Sequence, residues 1–451
     1  MMRLTHLRRF GAHRLAIATA AMAVVSLGVS AQPARGQVVA GVTPVAQAAR
    51  PYRGLFGAGS GANRGGHLLA LTASIYEEYG TNQSSDLPSS DLVLREGWFL
   101  GVHGQLAYEK TGQYSRVDLR GEGAFRYVRD VKQSTDPRFR AEVAVDARTG
   151  SRKTNLLRVG ASADYEPYYI LSIFPTEVLP TGDTAIVPTN RDDLLFKRSR
   201  YLYSQTFSYE QQTSRRSYLE FYDDWRTTRA QATTTGLDVN SLRAGLRYGY
   251  RLSPSASMRL GYTYKLGHYG LDAAQRFQAH DLDVSFDYRK PLSRSRATSF
   301  GFGVGSSRIS REGQPLWTVV GNANLSHDMG KGWFVRADYT RDAQLVEGFA
   351  DPFFVNTVTG SVGGFLGHRV EVLASSGYSR GPVGFAADRY TSRQSSARVR
   401  LALAKVLAID AEGLLLQYGF GAGVPVPGTV PANLDRWAVR CNLAWWLPLS
   451  R

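Results

Sequence analysis

The chain has 451 residues, 54 Lys and Arg against 38 Asp and Glu, a formal charge of +16, one cysteine and a mean hydropathy of -0.25. A single cysteine, Cys441, excludes an internal disulfide framework. Beyond Ala31 no run approaches the ~18 uncharged apolar residues of a spanning helix, but a hydrophobic content of 43% still suits strands that meet lipid with alternate residues only.

The first element reads as an export signal. Arg3, Arg8, Arg9 and Arg14 form a positive region, Leu15 to Val29 an apolar one, and Val29-Ser30-Ala31 a small-residue cleavage site. The Arg8-Arg9 pair hints at twin-arginine export, but the following residues do not sustain that motif. Processing leaves about 420 residues with a charge of about +12. Gln32 to Gly66 contains no acid, carries Arg35, Arg50, Arg53 and Arg64, and is broken by Pro33, Pro44 and Pro51. It reads as a flexible basic periplasmic leader, with a part-time lumen plug as the sharper alternative.

From His67 the chain changes character. About eighteen stretches, each roughly eight to twelve residues, alternate apolar and polar side chains. Leu69, Leu71, Ala73 and Ile75 form the first apolar row. Trp98, Leu100, Val102 and Leu106 form the second, with His103 and Gln105 opposite. In the third, Val117, Leu119, Phe125 and Tyr127 share one parity, and Arg116, Asp118, Arg120, Glu122 and Arg126 the other. Later stretches repeat the scheme. Arg140, Glu142 and Asp146 oppose Phe139, Ala141 and Val143; Arg158 and Asp164 oppose Leu157 and Val159; Arg243, Arg247 and Arg251 oppose Leu242, Leu246 and Tyr250; Arg259 opposes Met258 and Leu260. The last row is Trp437, Val439, Cys441, Leu443 and Trp445, against Arg436, Arg440 and Asn442. Parity is blurred only near Tyr218–Trp225 and Phe354–Leu366. A period of two places the rows on opposite strand faces, with oil on one side and water on the other. Tyr and Trp collect at row ends, as aromatic girdles at two interfaces require.

Connection lengths test this independently. Turns near Thr111-Gly112, Thr149-Gly150, Thr213–Arg216, Ser253–Ser257, Pro291–Ser295, Met329–Lys331, His368 and Lys405 are short. Those at Gly80–Glu96, Thr227–Asn240, Gly267–His280, Asp342–Phe353 and Phe420–Asn433 are long, mostly roughly ten to thirty residues. The expected fold is all-β: a transmembrane, antiparallel, up-and-down β-barrel of about 18 strands, or 16 if the first hairpin is misread. Residues 1–31 are then a signal peptide, 32–66 the leader and 67–451 the barrel, in the bacterial outer membrane.

An Arg on the lipid face at the bilayer midplane costs about 2–4 kcal/mol, so the ionised rows must face inward. Arg116, Arg120, Arg126, Arg140 and Arg158 form one lumen cluster and Arg243, Arg247, Arg251 and Arg259 a second. A basic wall around a water-filled bore favours anions. The plainer alternative is that these arginines pair with Asp118, Glu122, Glu142 and Asp146 and only fill the bore.

In strand order and loop position the chain resembles the general diffusion porins of bacterial outer membranes. In that family the third external loop folds into the bore and sets acids against an arginine ladder. The resemblance implies that Pro167 to Lys197 is the constriction loop, with Glu177, Asp183, Asp192 and Asp193 facing Arg120, Arg126, Arg140 and Arg158. The porins' loop motif is absent, and the chain ends Trp445-Trp446-Leu447-Pro448-Leu449-Ser450-Arg451 without their usual terminal aromatic. The strand number and arginine-rich lumen also resemble the barrels that export acidic polysaccharides. The expected function is a passive channel for polar, preferentially anionic solutes. The alternatives are the outer pore of an acidic polysaccharide secretion system and a non-conducting structural or adhesive barrel.

No enzyme activity is expected. Asp223-Asp224 and His280-Asp281 fall near outer strand ends, where the barrel proteases called omptins keep such pairs, but neighbouring residues on a strand point to opposite faces. No His has a convincing Ser partner for a barrel phospholipase, and no zinc spacing, phosphate loop or dinucleotide motif occurs, so no cofactor or metal is expected. Basic charge spread over alternate strand positions argues against nucleic acid. TonB-dependent transport would need more chain. The expected partners are outer-membrane lipid and small anionic solutes or acidic polysaccharide, with assembly as a homotrimer or with secretion-system proteins.

Overall fold

A computed structural model describes residues 66–84, 94–128, 133–134, 137–149, 154–166, 199–230, 239–269, 276–293, 296–311, 314–330, 332–344, 346, 349, 351–384, 389–424, 426 and 432–450. The signal, nearly all of the leader and the acids Glu177, Asp183, Asp192 and Asp193 lie outside these residues.

Alternation over stretches rich in Val, Leu, Tyr and Thr yields eighteen long strands. They are β1 (His67–Ser84), β2 (Leu94–Thr111), β3 (Ser115–Val128), β4 (Arg138–Thr149), β5 (Asn155–Glu166), β6 (Arg200–Gln212), β7 (Ser217–Ala230), β8 (Val239–Arg251), β9 (Ala256–Tyr269), β10 (Arg276–Pro291), β11 (Ala297–Arg311), β12 (Gln314–Gly330), β13 (Trp333–Gln344), β14 (Phe353–Leu366), β15 (Val370–Pro382), β16 (Arg389–Ala404), β17 (Leu407–Phe420) and β18 (Asn433–Ser450). A two-residue segment, Gln133–Ser134, prolongs the edge of β3 against Tyr127 and Val128. Each long strand pairs antiparallel with its sequence neighbours, and β1 pairs with β18 from Leu69↔Ser450 to Gly80↔Ala438. The sheet therefore closes without a free edge, the form that can span a bilayer on strands.

One row of each strand stands bare on the outside. Leu100, Leu246, Leu260, Leu282, Val304, Val358 and Val439 are each 46 to 58% exposed, which in water would be costly and in acyl chains is favourable. Aromatic pairs bound this belt. Tyr79 sits 5.0 Å from Trp98 and 5.5 Å from Trp437 across the β18–β1–β2 seam, and Tyr288 lies 5.2 Å from Phe300 near the opposite end.

The strands run twelve to eighteen residues, longer than the alternating stretches suggested. Strict alternation is demanded only where one face meets hydrocarbon, and the strands continue past it. On one side the connections span two to five residues. One of the two shortest, residues 331–332, uses Gly332 at φ 82 after Gly330 at φ 89, backbone that side chains with a Cβ rarely adopt. On the other side they are mostly longer, with one exception: only residues 312–313 join β11 to β12. The blurred parities also have causes. β7 carries Asp223 on its outer row between Phe221 and Trp225, and β14 has Gly360, Gly363 and Gly364 spread over both faces.

The β12–β13 ladder stops at Gly321↔Arg341, although β12 begins at Gln314 and β13 reaches Gln344. Above that rung the end of β13 leaves its neighbour. Asp342 meets Lys265 of β9 at 2.7 Å, and Ala343 joins Val239, Phe277, Ala279 and Ile309 in a buried cluster.

Candidate functional site

The interior is built from the second row of each strand. Register places all nine singled-out arginines there: Arg116, Arg120, Arg126, Arg140 and Arg158 share the row of Asp118, Glu122 and Asp146, and Arg243, Arg247, Arg251 and Arg259 share that of Glu220 and Asp224. Their surroundings differ. Arg116 pairs with Asp118 at 2.9 Å and Glu109 at 3.2 Å, and Arg140 with Glu142 and Asp164, each at 3.4 Å. Arg126 is buried over the Phe99 ring, 4.7 Å from its centroid. Arg158 and Arg243 make no salt bridge among the described residues, and Arg251 is exposed at the periplasmic rim. Arg116 and Arg140 thus stand beside carboxylates of their own and neighbouring strands.

The sector from β14 round to β1 is packed in three tiers. At the outer mouth Phe353, Val355, Tyr390, Tyr418, Phe420 and Leu434 form an apolar cluster on the inward row. Val346 and Phe349, from the connection between β13 and β14, tuck into it, with Phe349 4.9 Å from Phe353 and 5.3 Å from Phe420. At mid-height lies an ion network. Glu78 accepts hydrogen bonds from Arg436 Nη2 at 2.9 Å and from Arg440 Nε at 2.9 Å and Nη2 at 2.6 Å, with Arg126 at 4.0 Å. Next to it Arg400 pairs with Asp410, and Glu371 lies 3.8 Å from Arg400 and 3.9 Å from Arg398. Below, Leu68, Ala70, Ala402, Ala408, Ala444 and Trp446 close the tier stack.

The opposite sector is open. β11 turns a row of small residues inward, including Gly301, Gly303 and Gly305, and this leaves a cavity of about 300 Å³ against β8–β13. Long charged side chains line it: Arg243, Arg247, Arg259 and Lys265 face Asp281, Asp283, Asp338 and Asp342. Lys265 is held by Asp281 at 2.9 Å and Asp342 at 2.7 Å, and Arg247 lies 3.7 Å from Glu220 and donates to the Tyr222 hydroxyl at 3.3 Å. Tyr222 itself lies flat across Gly245, where an added Cβ would come within 2.3 Å of the ring. Arg243 stands 6.0 Å from the same ring with no carboxylate at bonding distance. Asp283 and Asp338 also lack a salt bridge among the described residues.

The structure thus brings Arg243, Arg247 and Arg259 to one cavity and sets the first arginine cluster on a separate stretch of wall. Sequence reading passed over Arg398, Arg400, Glu371 and Glu78. Their parity was visible, but their pairing across strands was not. It also missed the inward placement of Val346 and Phe349 between β13 and β14, whose only signal was their apolar character. In the two weighed acid–base pairs, Asp224 and Asp281 face inward while Asp223 and His280 lie on the outer row, so neither pair meets in the bore. His103 is an inward side chain, 3.9 Å from Glu122.

No protein-family model matches the chain, and no curated relative matches it either. Solved structures align with it over most of its length. Pseudomonas aeruginosa OccK2 (OpdF), in complex with glucuronate, aligns over 86% of this chain and 100% of its own at 11% identity and a TM-score of 0.47. OccK9 (OpdG) of the same organism aligns over 84% and 98% at 12% identity and 0.45. Acinetobacter baumannii OccAB4 aligns over 85% and 98% at 12% identity and 0.42. By its own architecture the chain is a bacterial outer-membrane β-barrel that resembles the porins.

Proposed function

We propose that the barrel conducts small polar solutes passively, with anions favoured, along the open sector of β8–β13. Arg243 carries this reading: it is a lumen cation that makes no salt bridge among the described residues, although Asp224 stands opposite it in the β7–β8 ladder, and it lies beside a cavity large enough for a small solute. Charge on a low-dielectric wall is weakly screened, so one guanidinium outside a salt bridge weighs on ion choice. The acids Glu177, Asp183, Asp192 and Asp193 act as a counterweight on the loop at residues 167–197. The apolar tier at the outer mouth favours small solutes over a polysaccharide chain.

In planar bilayers under a KCl gradient the full chain should give ohmic channels whose reversal potential favours chloride. Arg243→Ala reduces that preference, and neutralising the four loop acids increases it. Potassium selectivity of the unmodified protein would overturn the proposal. A second reading concerns dipolar solutes, because Asp283 and Asp338 line the cavity without salt bridges of their own. Under it, a small amino acid reduces chloride current in the unmodified protein but not in Asp283→Asn.

A further inference from the structure

The wall of the barrel is complete from Gly321 downward and interrupted above it. On β12, residues 314–320 pair with β11 alone, and the first rung shared with β13 is Gly321↔Arg341. The end of β13 leans inward instead of completing that ladder, and it is held there from two sides. Asp342 meets Lys265, and Ala343 packs with Val239, Phe277, Ala279 and Ile309, a cluster that also receives Phe354 from β14. The Ala343 amide donates to Asp342 Oδ1 at 2.8 Å, so this end satisfies a donor within its own strand and not on β12. A slit results, bounded by the bare edge of β12 on one side and the inward-leaning β13 on the other.

Its height follows from the outward rows. Trp317 is 66% exposed and pairs in register with Arg308, an aromatic and a cation of the kind that mark the headgroup boundary. Exposed Val319 comes next on that row, and Gly321 lies about 13 Å along the strand from Trp317. The slit therefore reaches from the headgroups into the upper acyl chains. A bare backbone edge facing hydrocarbon is costly, and membrane barrels tolerate one only where it borders water or protein. Here it borders the cavity, which takes its lining from both faces of the wall. Asn322, Asp338 and Thr340 come from inward rows, Val304, Tyr339 and Arg341 from outward ones. Arg341 stands at the threshold, exposed, and makes no hydrogen bond or ion pair among the described residues. No acid shares the outward rows of β12 and β13 with it.

We infer that the slit between β12 and β13 is a lateral portal through which a single-chain anionic amphiphile, a long-chain carboxylate, passes between the outer leaflet and the cavity. The Arg341 guanidinium receives the head, because its planar fork matches a carboxylate, and the chain lies along Trp317, Val319 and Val304. Asp342, the acid next to Arg341, is already held by Lys265, and Arg243 offers a second cation on the same cavity wall. A cavity of about 300 Å³ suits one carboxylate and part of one chain. The portal is an entrance additional to the bore, and it does not depend on which ion the bore prefers.

Two measurements on the full chain test this. In lipid nanodiscs, amide hydrogen exchange of residues 314–320 should be at least about tenfold faster than that of residues 305–311, the stretch of β11 at the same height that is paired on both sides. Equal protection of the two stretches would overturn the inference, whether a closed ladder or a second copy of the chain supplied it. In detergent, dodecanoate should bind at least about tenfold more tightly than dodecanol, the yield of one charge-assisted contact, and should slow exchange at residues 314–320. Arg341→Gln should remove that preference. Equal affinity of the unmodified protein for the two amphiphiles would refute the portal without reference to any variant. So would a preference that survives in Arg341→Gln, or protection by dodecanoate at the mouth cluster alone.

Discussion

At Glu78 one carboxylate serves arginines brought from β18 and β3, and its partner Arg436 lies 358 positions away in the chain. Removing one member of a buried pair leaves uncompensated charge, a loss of about 3–5 kcal/mol. Glu78→Gln should therefore lower the unfolding free energy of the vesicle-reconstituted barrel by that order, read from its urea transition, and an unchanged transition would show the network to be dispensable. Arg243 is the opposite case, a lumen cation that faces Asp224 across the β7–β8 ladder but makes no salt bridge among the described residues. Both residues stand on ionised rows that periodicity reveals. Which one is neutralised depends on register, because Asp410 reaches Arg400 only through the β16–β17 pairing.

Strands obey a rule that a single substitution can probe. Val284 and Ser285 are neighbours on β10, the first 40% exposed to lipid and the second a lining residue of the cavity. Val284→Arg should cost about 2–4 kcal/mol of barrel stability, while Ser285→Arg escapes that penalty and instead reduces conductance. Equal destabilisation by both, measured by unfolding from vesicles, would contradict the assigned faces. The connection between β13 and β14 offers another test. Phe349 is 2% exposed within the mouth cluster, so Phe349→Ala should raise single-channel conductance and leave the reversal potential in place. Unaltered conductance would mean that this tier does not narrow the path. The rows and tight turns of most strands were legible, whereas this inward placement was not. The stretch between these two strands carries no periodicity, and the place of Val346 and Phe349 is set by the apolar pocket that Tyr390, Tyr418 and Phe420 assemble from distant segments.

Taken whole, the molecule presents hydrocarbon-seeking rows outward around a closed sheet. Detergent should be required to release it from envelopes, and the folded form should migrate faster than the boiled form on a gel. Release by salt or carbonate washing alone would be incompatible with the fold. The amino-acid sequence by itself determined the strand class, the inward and outward parity of Arg116 to Arg259, the short-turn side and the barrel closure. These follow from a period of two set against two solvents, which is local information. Only the tertiary structure decided the eccentric interior, packed from β14 to β1 and open along β8–β13. It also decided which arginines are paired. Those properties depend on which strands become neighbours and at what register, a relation between positions hundreds of residues apart that no single stretch of chain contains.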